Sequence, residues 1–307
     1  MYPLDFEEFA AYLGEDLLSE YIADCWNKKT PLDRDMHDKA MRLFKEYMLV
    51  GGMPQAVLAY KMNDRDFAAA DAEKRDILNL YRDDIKKAAR KYNSRVSAIF
   101  ENIPAYLSTH EKKVTLNSVE KGATFDKYDE PLFWLDDSMI CNLCYKCSDP
   151  NVGFALNKKD AFVKCYLGDT GLLVSLAFSE NELAENNLYK QIMDGKLSLN
   201  KGMLYENAIA QILASKGKKL FFYTRFNAEK HRNDIEIDFL LSNESKTKFR
   251  IMPVEVKSSK NYSTISLDRF CEIYRRRISG SMIIHPKNLA VTDGLVKIPP
   301  YMAFAAL

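Results

Sequence analysis

Two short stretches in which apolar and polar residues alternate constrain the fold of this chain more than any other feature. The stretch D-I-E-I-D-F-L-L contains Asp238, and I-M-P-V-E-V-K-S-S carries Glu255 and Lys257. A period of two is typical of a half-buried β-strand. The apolar side chains predicted to share one face of the first strand are Ile235, Ile237, Phe239 and Leu241. We therefore expect two neighbouring strands that bring Asp238, Glu255 and Lys257 together.

The segment before these strands predicts a helix that carries Glu206, in the sequence G-M-L-Y-E-N-A-I-A-Q. A helix over Ser266–Arg277 and strands over Gly280–His285 and Leu295–Ile298 are predicted further along. The end of the chain is therefore predicted to be a mixed α/β module.

Composition narrows the classes of protein that fit. The chain has 307 residues, 47% of them hydrophobic and 28% charged, which is enough for two or three modules with proper cores. A net charge of +1 argues against a basic coat for nucleic acid but leaves a local basic groove open. The sequence shows no apolar run of about 18 residues and no signal pattern, so we expect no membrane partner. The six cysteines show no secreted-type framework, and a cytoplasmic location is the expectation.

The first part of the chain, residues 1–92, predicts helices only. An amphipathic pattern covers residues 5–28, and Asp5 and Glu8 have the spacing of a capping box at its start.

Residues 93–180 are predicted to contain strands as well as helices. A predicted helix over Thr115–Lys121, another near Pro131, and strands that include Gly153–Leu156 follow the order of a winged helix. Between Phe125 and Asp137, however, five carboxylates face one lysine, a balance that would repel phosphates. We expect that second helix to pack rather than to read duplex DNA.

Several segments resemble those of a prokaryotic family of AAA-type ATPases whose C-terminal half is domain of unknown function 4143. They are P-L-D-F-E-E-F from Pro3, Y-M-L-V-G-G-M-P-Q-A-V from Tyr47, Y-L-G-D-T-G-L-L from Tyr166, G-M-L-Y-E-N from Gly202, E-I-D-F-L-L from Glu236 and P-V-E-V-K-S-S from Pro253. The resemblance implies a multidomain α + α/β architecture. It divides into a helical lid and linker region (1–92), a winged-helix-like domain (93–180) and a restriction-endonuclease-like α/β domain of the PD-(D/E)XK type (181–307).

The sequence departs from that family at its start. We find no G-x-x-x-x-G-K-[ST] segment, and the pairs Gly195-Lys196 and Gly217-Lys218 lack the flanking residues that such a loop needs. Without a phosphate-binding loop these residues give ATP hydrolysis no chemical basis, so no ATP site is predicted. The expectation is a form of the family without its ATPase core, through truncation, a split gene or a late start codon.

The nuclease-like pattern assigns roles to four residues. Asp238 and Glu255 are the candidate ligands of Mg²⁺, which prefers carboxylate oxygens. Lys257 would orient or deprotonate the attacking water or offset charge on the phosphate, and Glu206 would act from behind the metal ligands. An ordinary ion pair between Glu255 and Lys257 on a solvated sheet face explains the same pattern. Residues that would meet a phosphate backbone near this face, unless they are only solvated loop residues, are Tyr223, Arg225, Lys230, His231 and Arg232.

The spacing C-x₂-C-x₂-C over Cys141, Cys144 and Cys147, with Cys165 further along, is typical of metal thiolates. On a strand, however, a period of three turns neighbouring cysteines to opposite faces, so packing is the favoured interpretation.

Two functions follow from these observations. The first is nucleic-acid-linked, with DNA or RNA as partner and metal-dependent phosphodiester cleavage as its sharpest form. The second is a non-catalytic protein that uses the same folds to dock a partner ATPase or another subunit. Neither the substrate nor the oligomeric state follows from the sequence.

Overall fold

A computed structural model of the chain describes residues 2–88, 92–114, 127–151, 153–179, 186–194, 200–229, 231–245, 248–292 and 294–306. Within these ranges the protein is a mixed α/β structure with eleven α-helices and two mixed sheets.

The N-terminal part is helical, as predicted. Its helices are α1 (Phe6–Tyr12), α2 (Asp16–Lys28), α3 (Arg34–Val50), α4 (Pro54–Met62), α5 (Phe67–Ala88) and α6 (Asn93–Ser108). The capping box is confirmed, because Asp5 accepts from the Glu8 amide and Glu8 accepts from the Asp5 amide, both at 2.9 Å. The single helix predicted over residues 5–28 is wrong. The chain turns at Gly14, whose φ of +80° is a left-handed conformation that suits glycine.

The middle part contains helices and the first strands. They are α7 (Asp129–Asp137), β1 (Cys141–Cys147), β2 (Lys158–Leu167), α8 (Thr170–Ala177) and α9 (Asn186–Met193). The strand predicted over Gly153–Leu156 is wrong, because Gly153 has a φ of +76° and is followed by a 3₁₀ helix, Phe154–Asn157. The helix predicted over Thr115–Lys121 lies outside the described residues.

The C-terminal part alternates strands and helices. Its elements are α10 (Lys201–Ser215), β3 (Leu220–Asn227), β4 (Arg232–Ile237), β5 (Phe239–Ser245), β6 (Lys248–Val256), α11 (Ile265–Ile273), β7 (Ser281–Ile284), β8 (Ala290–Thr292), β9 (Leu295–Ile298) and a 3₁₀ helix (Pro300–Ala306).

The stretch predicted as one strand around Asp238 is two strands in the structure. β4 pairs with β3, whereas β5 pairs with β6 in the other sheet, and Asp238 lies between them. The prediction that four apolar side chains share one face is therefore wrong. Ile235 and Ile237 pack in one hydrophobic cluster, and Phe239 and Leu241 pack in another. A change of sheet at one residue leaves the alternation of the sequence intact, which is why the alternation did not reveal it.

The two sheets have the strand orders β2-β1-β3-β4 and β5-β6-β7-β9-β8. In the first, β1 is antiparallel to β2 and parallel to β3, so strands from the middle and the C-terminal parts share one sheet. The larger hydrophobic cluster extends in sequence from Phe6 to Ala303.

A buried polar network joins α3, α8 and α10. Asp169 caps α8 through the Leu172 amide at 2.8 Å and also accepts from the Gly52 amide at 2.6 Å. From α10, Gln211 accepts from the Thr170 amide at 2.8 Å and donates to the Tyr47 hydroxyl at 3.0 Å. The network connects two of the segments that carry the family resemblance, those that begin at Tyr47 and at Tyr166.

Among the described residues, every helix is too short or too polar to cross a bilayer.

Candidate functional site

An open groove of about 910 Å³ lies where the strand ends around Asp238 meet the segment after α6. All four predicted site residues line it: Glu206, Asp238, Glu255 and Lys257. The structure therefore brings together the residues that the sequence placed in one cluster, and their chemical roles stay a prediction.

Glu206 is held in place by the start of α10. Asn200 caps this helix by accepting from the Met203 amide at 3.1 Å, and it donates to the Ser108 carbonyl at 3.1 Å. The helix then turns Glu206 into the interior, where it is 3% exposed. Its Oε2 accepts from the Tyr166 hydroxyl at 2.9 Å.

Two lysines neutralise Glu206. Lys112 Nζ donates to its Oε1, and Lys164 Nζ lies 3.5 Å from its Oε2. Burial opposes the ionisation of Glu206, but the ammonium groups of Lys164 and Lys112 outweigh burial and lower its pKa to about 2. Glu206 is therefore a carboxylate at neutral pH.

Asp238 occupies the link between the two sheets. Its Oδ2 accepts from the Val256 amide at 2.8 Å, and its Oδ1 lies 3.8 Å from Lys164 Nζ. Burial and the neighbouring Glu206 carboxylate raise the pKa of Asp238 to about 7. The Asp238 side chain therefore titrates near neutral pH.

Glu255 and Lys257 form an ion pair at the end of β6. Lys257 Nζ lies 2.8 Å from Glu255 Oε2. Glu255 is 1% exposed, and its Oε1 has no hydrogen-bond partner among the described residues. Burial raises the pKa of Glu255 and outweighs the nearby ammonium. Burial also opposes the charge of Lys257, but Glu255 outweighs that effect and raises the pKa of the lysine.

Sequence reasoning missed Lys112 and Lys164. Lys164 lies between buried Val163 and Cys165 on β2, and its own exposure is only 6%. A lysine flanked by apolar residues on a strand was the available signal. Lys112 gave no such signal, because it reaches the groove from a turn in which its φ is +51°.

The residues predicted to meet a phosphate backbone divide into three groups. Tyr223 packs against Phe270, and Arg225 pairs with both oxygens of Asp234, at 2.9 and 2.5 Å. His231 and Arg232 line the groove. Lys230 lies outside the described residues.

No group of three or more His, Cys, Asp and Glu side chains in the described ranges is arranged to hold a metal ion. The cysteines of C-x₂-C-x₂-C are buried free thiols, and Cys147 packs in a different hydrophobic cluster from Cys141 and Cys144. A metal in the groove would therefore rest on two carboxylates of this chain and on water.

Two family models match this chain. Residues 201–302 match the family described as Domain of unknown function (DUF4143). The resemblance predicted for the C-terminal half is confirmed over these residues. Residues 41–183 match Domain of unknown function (DUF8612). No curated protein and no solved structure matches the chain.

The groove is shared between the two matched segments. The DUF4143 segment, residues 201–302, supplies Glu206, Asp238, Glu255 and Lys257. The DUF8612 segment, residues 41–183, supplies Lys112 and Lys164. The carboxylates and the two lysines that neutralise Glu206 thus belong to different segments.

Proposed function

We propose that the groove binds the sugar-phosphate backbone of a nucleic acid and cleaves it with the help of a divalent cation. The observation that carries this proposal is the Glu255 carboxylate, which is buried and faces the groove, and whose Oε1 accepts no hydrogen bond from the described residues. An ionised carboxylate in such a place is costly unless a cation compensates it, and Lys257 alone reaches only one of its oxygens.

Asp238 and Glu255 would hold the metal, for which Mg²⁺ is the expected ion because both supply oxygen ligands. The bound ion would polarise the phosphate and activate a water molecule. The two carboxylates fit this role, since Glu255 has open lone pairs and each oxygen of Asp238 has acceptor capacity beyond its present contact.

Lys257 would act through its charge. Because Glu255 raises its pKa, the side chain is an ammonium at neutral pH, which favours stabilisation of phosphate charge over removal of a proton from water. Glu206 would support the metal ligands without binding the metal itself, since its oxygens already contact Lys112, Lys164 and Tyr166.

The proposal includes the finer architecture implied by the resemblance to AAA-type ATPases. The C-terminal part would be a restriction-endonuclease-like domain, and the middle part a degenerate winged helix. In α7 the acidic residues Asp129, Glu130, Asp136 and Asp137 argue against contact with a phosphate backbone. The nucleic acid would therefore approach the groove and not this helix.

A second candidate is a non-catalytic docking protein for a partner ATPase or another subunit. It is favoured by the ion pairs of Glu206, because a carboxylate already neutralised by two lysines needs no metal ion. The lack of a three-ligand cluster in the described ranges points the same way.

Metal binding and cleavage distinguish the two candidates. We expect the wild-type protein to bind Mn²⁺ in calorimetry and to cut end-labelled single- or double-stranded DNA or RNA. Glu255→Gln and Asp238→Asn should each weaken Mn²⁺ binding by at least about tenfold, or about 1.4 kcal/mol, and abolish cleavage.

The matched control is Glu236→Gln, which removes a carboxylate from the same groove outside the cluster. This variant should bind Mn²⁺ and cut as the wild type does. If the wild-type protein binds neither Mn²⁺ nor Mg²⁺ and cuts none of these substrates, the docking function replaces the nuclease function.

A further inference from the structure

Lys164 is a buried lysine in the wall of the groove. It lies on β2 opposite Cys144 of β1, and the ring of Phe222 lies 5.1 Å from its Nζ. Lysine side chains normally extend their ammonium group into water. Lys164 instead directs its ammonium group toward both Glu206 and Asp238, at 3.5 and 3.8 Å from their nearest oxygens.

Such an arrangement is stable only when the charges compensate each other. Burial of an unpaired ion is strongly unfavourable, and removal of one partner of a buried ion pair strongly destabilises a protein. Glu206 and Asp238 together supply two negative charges when both are ionised, and Lys164 and Lys112 supply two positive charges from the DUF8612 segment.

A single divalent cation between the two carboxylates would supply the same charge. Mg²⁺ and Mn²⁺ take carboxylate oxygens from neighbouring side chains in this way. In this chain an ammonium group contacts both carboxylates, and it is carried by β2, the edge strand of the first sheet that pairs with β1.

We propose that Lys164 is the resident cation of the Glu206–Asp238 pair and keeps a divalent cation from bridging these two carboxylates. A metal that enters the groove is thereby directed to Glu255 and the outer side of Asp238. Only the placement of a metal at Glu255 and Asp238 rests on the proposed function. The exclusion of a metal from the Glu206–Asp238 pair is independent of cleavage.

The test is the number of Mn²⁺ ions bound per chain, measured by calorimetry on the full-length protein. Lys164→Met removes the charge and leaves an unbranched side chain that is one atom shorter, so we expect one additional bound Mn²⁺ relative to the wild type. Mn²⁺ should also raise the midpoint of thermal unfolding of Lys164→Met more than that of the wild type.

Two variants serve as controls. Lys164→Arg keeps the positive charge and should gain no Mn²⁺. The double variant Lys164→Met/Glu206→Gln removes one carboxylate of the pair, and the additional Mn²⁺ should be lost again. A Lys164→Met protein with the wild-type number of Mn²⁺ ions and the wild-type thermal response overturns the inference.

A variant that does not fold without metal is also informative. Should Lys164→Met be unfolded in metal-free buffer, the same titration is made on Lys164→Gln, which also removes the charge but keeps a polar side chain. A gained Mn²⁺ supports the inference, and the wild-type number overturns it.

The result is separable from the proposed function. If the wild type binds no Mn²⁺ but Lys164→Met does, the nuclease proposal fails and the resident cation stands. If both bind one Mn²⁺ and the wild type cuts nucleic acid, the resident cation fails and the nuclease proposal stands.

Discussion

Individual buried charges dominate the energetics of the groove. Lys164 remains an ammonium in the interior because Glu206 and Asp238 outweigh the burial that opposes its charge and raise its pKa. Lys164 also helps to keep Glu206 ionised, whereas burial and the Glu206 carboxylate raise the pKa of Asp238 against the effect of Lys164. These three side chains therefore act as one electrostatic unit, and a change in any one alters the other two.

His285 provides a pH-dependent contribution away from that unit. It follows β7, is 2% exposed, and its Nδ1 lies 2.7 Å from the Tyr262 hydroxyl. Burial lowers its pKa to about 4, and Lys287, Lys297 and His37 act in the same direction. Between about pH 6.5 and pH 4 the unfolded chain therefore binds more protons at this histidine than the folded chain does.

We expect the free energy of unfolding to fall by up to about 3 kcal/mol from this residue as the pH drops through that window. His285→Gln does not titrate and should lack this component. The measurement is the difference in free energy of unfolding between wild type and variant, from denaturant titrations at pH 4 to 7. A difference that is flat over this range would contradict the assignment.

At the scale of residues, the sequence identified the carboxylates but not all of their partners. Glu206, Asp238, Glu255 and Lys257 could be found because alternation on a strand and a helical segment fix where side chains point. Lys164 comes from a strand distant in sequence, and only the pairing of β1 with β3 brings that strand to the groove. Single-sequence periodicity contains no information on such a pairing.

At the scale of elements, α3 and α8 can cross closely only because Gly171 has no side chain. A Cβ at Gly171 in α8 would overlap the Val50 carbonyl at the end of α3. The backbone contact is closed by Asp169, which caps α8 and accepts from the Gly52 amide. The segments G-G-M-P and G-D-T-G-L-L therefore encode one helix–helix contact.

Gly171→Ala tests that contact. In an open helix position this change stabilises a protein by up to about 1 kcal/mol, because alanine is the better helix former. Here we expect a loss of about 2–4 kcal/mol, because the added methyl group meets backbone atoms that cannot move independently. Denaturant unfolding measures the loss.

Gly280→Ala is the matched control for this change. A Cβ at Gly280 would have its nearest contact at 3.4 Å, the carbonyl of Gly294. This variant should stay within about 1 kcal/mol of the wild type. Equal stability of the two variants would show that α3 and α8 do not pack as described.

Element boundaries were predictable where local chemistry sets them. The capping box at Asp5 is such a local signal, and α1 begins where it was expected. The break at Gly14 and the sheet change at Asp238 were not predictable from apolar periodicity. In both places the pattern continues across the break, and only tertiary packing decides it.

At the scale of the whole molecule, the two matched segments share one sheet and the larger hydrophobic cluster. β3 of the DUF4143 segment pairs with β1 of the DUF8612 segment, with Cys144 opposite Leu220. The larger hydrophobic cluster includes residues from both segments. The predicted boundaries at 92 and 180 stay a prediction, and a fragment can test the second of them.

We expect a fragment of residues 181–307 to lack a cooperative unfolding transition. Removing β1 exposes an edge of β3, and removing α3 and α8 exposes apolar surface of α10. Circular dichroism during thermal unfolding, with the full-length chain as control, measures this. A cooperative transition of the fragment would establish residues 181–307 as an independent domain.

The contact between Leu32 and Asn288 has a consequence for synthesis on the ribosome. The Asn288 side chain accepts from the Leu32 amide at 3.1 Å and donates to its carbonyl at 2.6 Å, across a sequence separation of 256 residues. At typical elongation rates the second partner is added roughly 10–50 s after the first. During that interval the segment between α2 and α3 lacks its native partner, so this contact of the helical part forms only after residue 288 has been added.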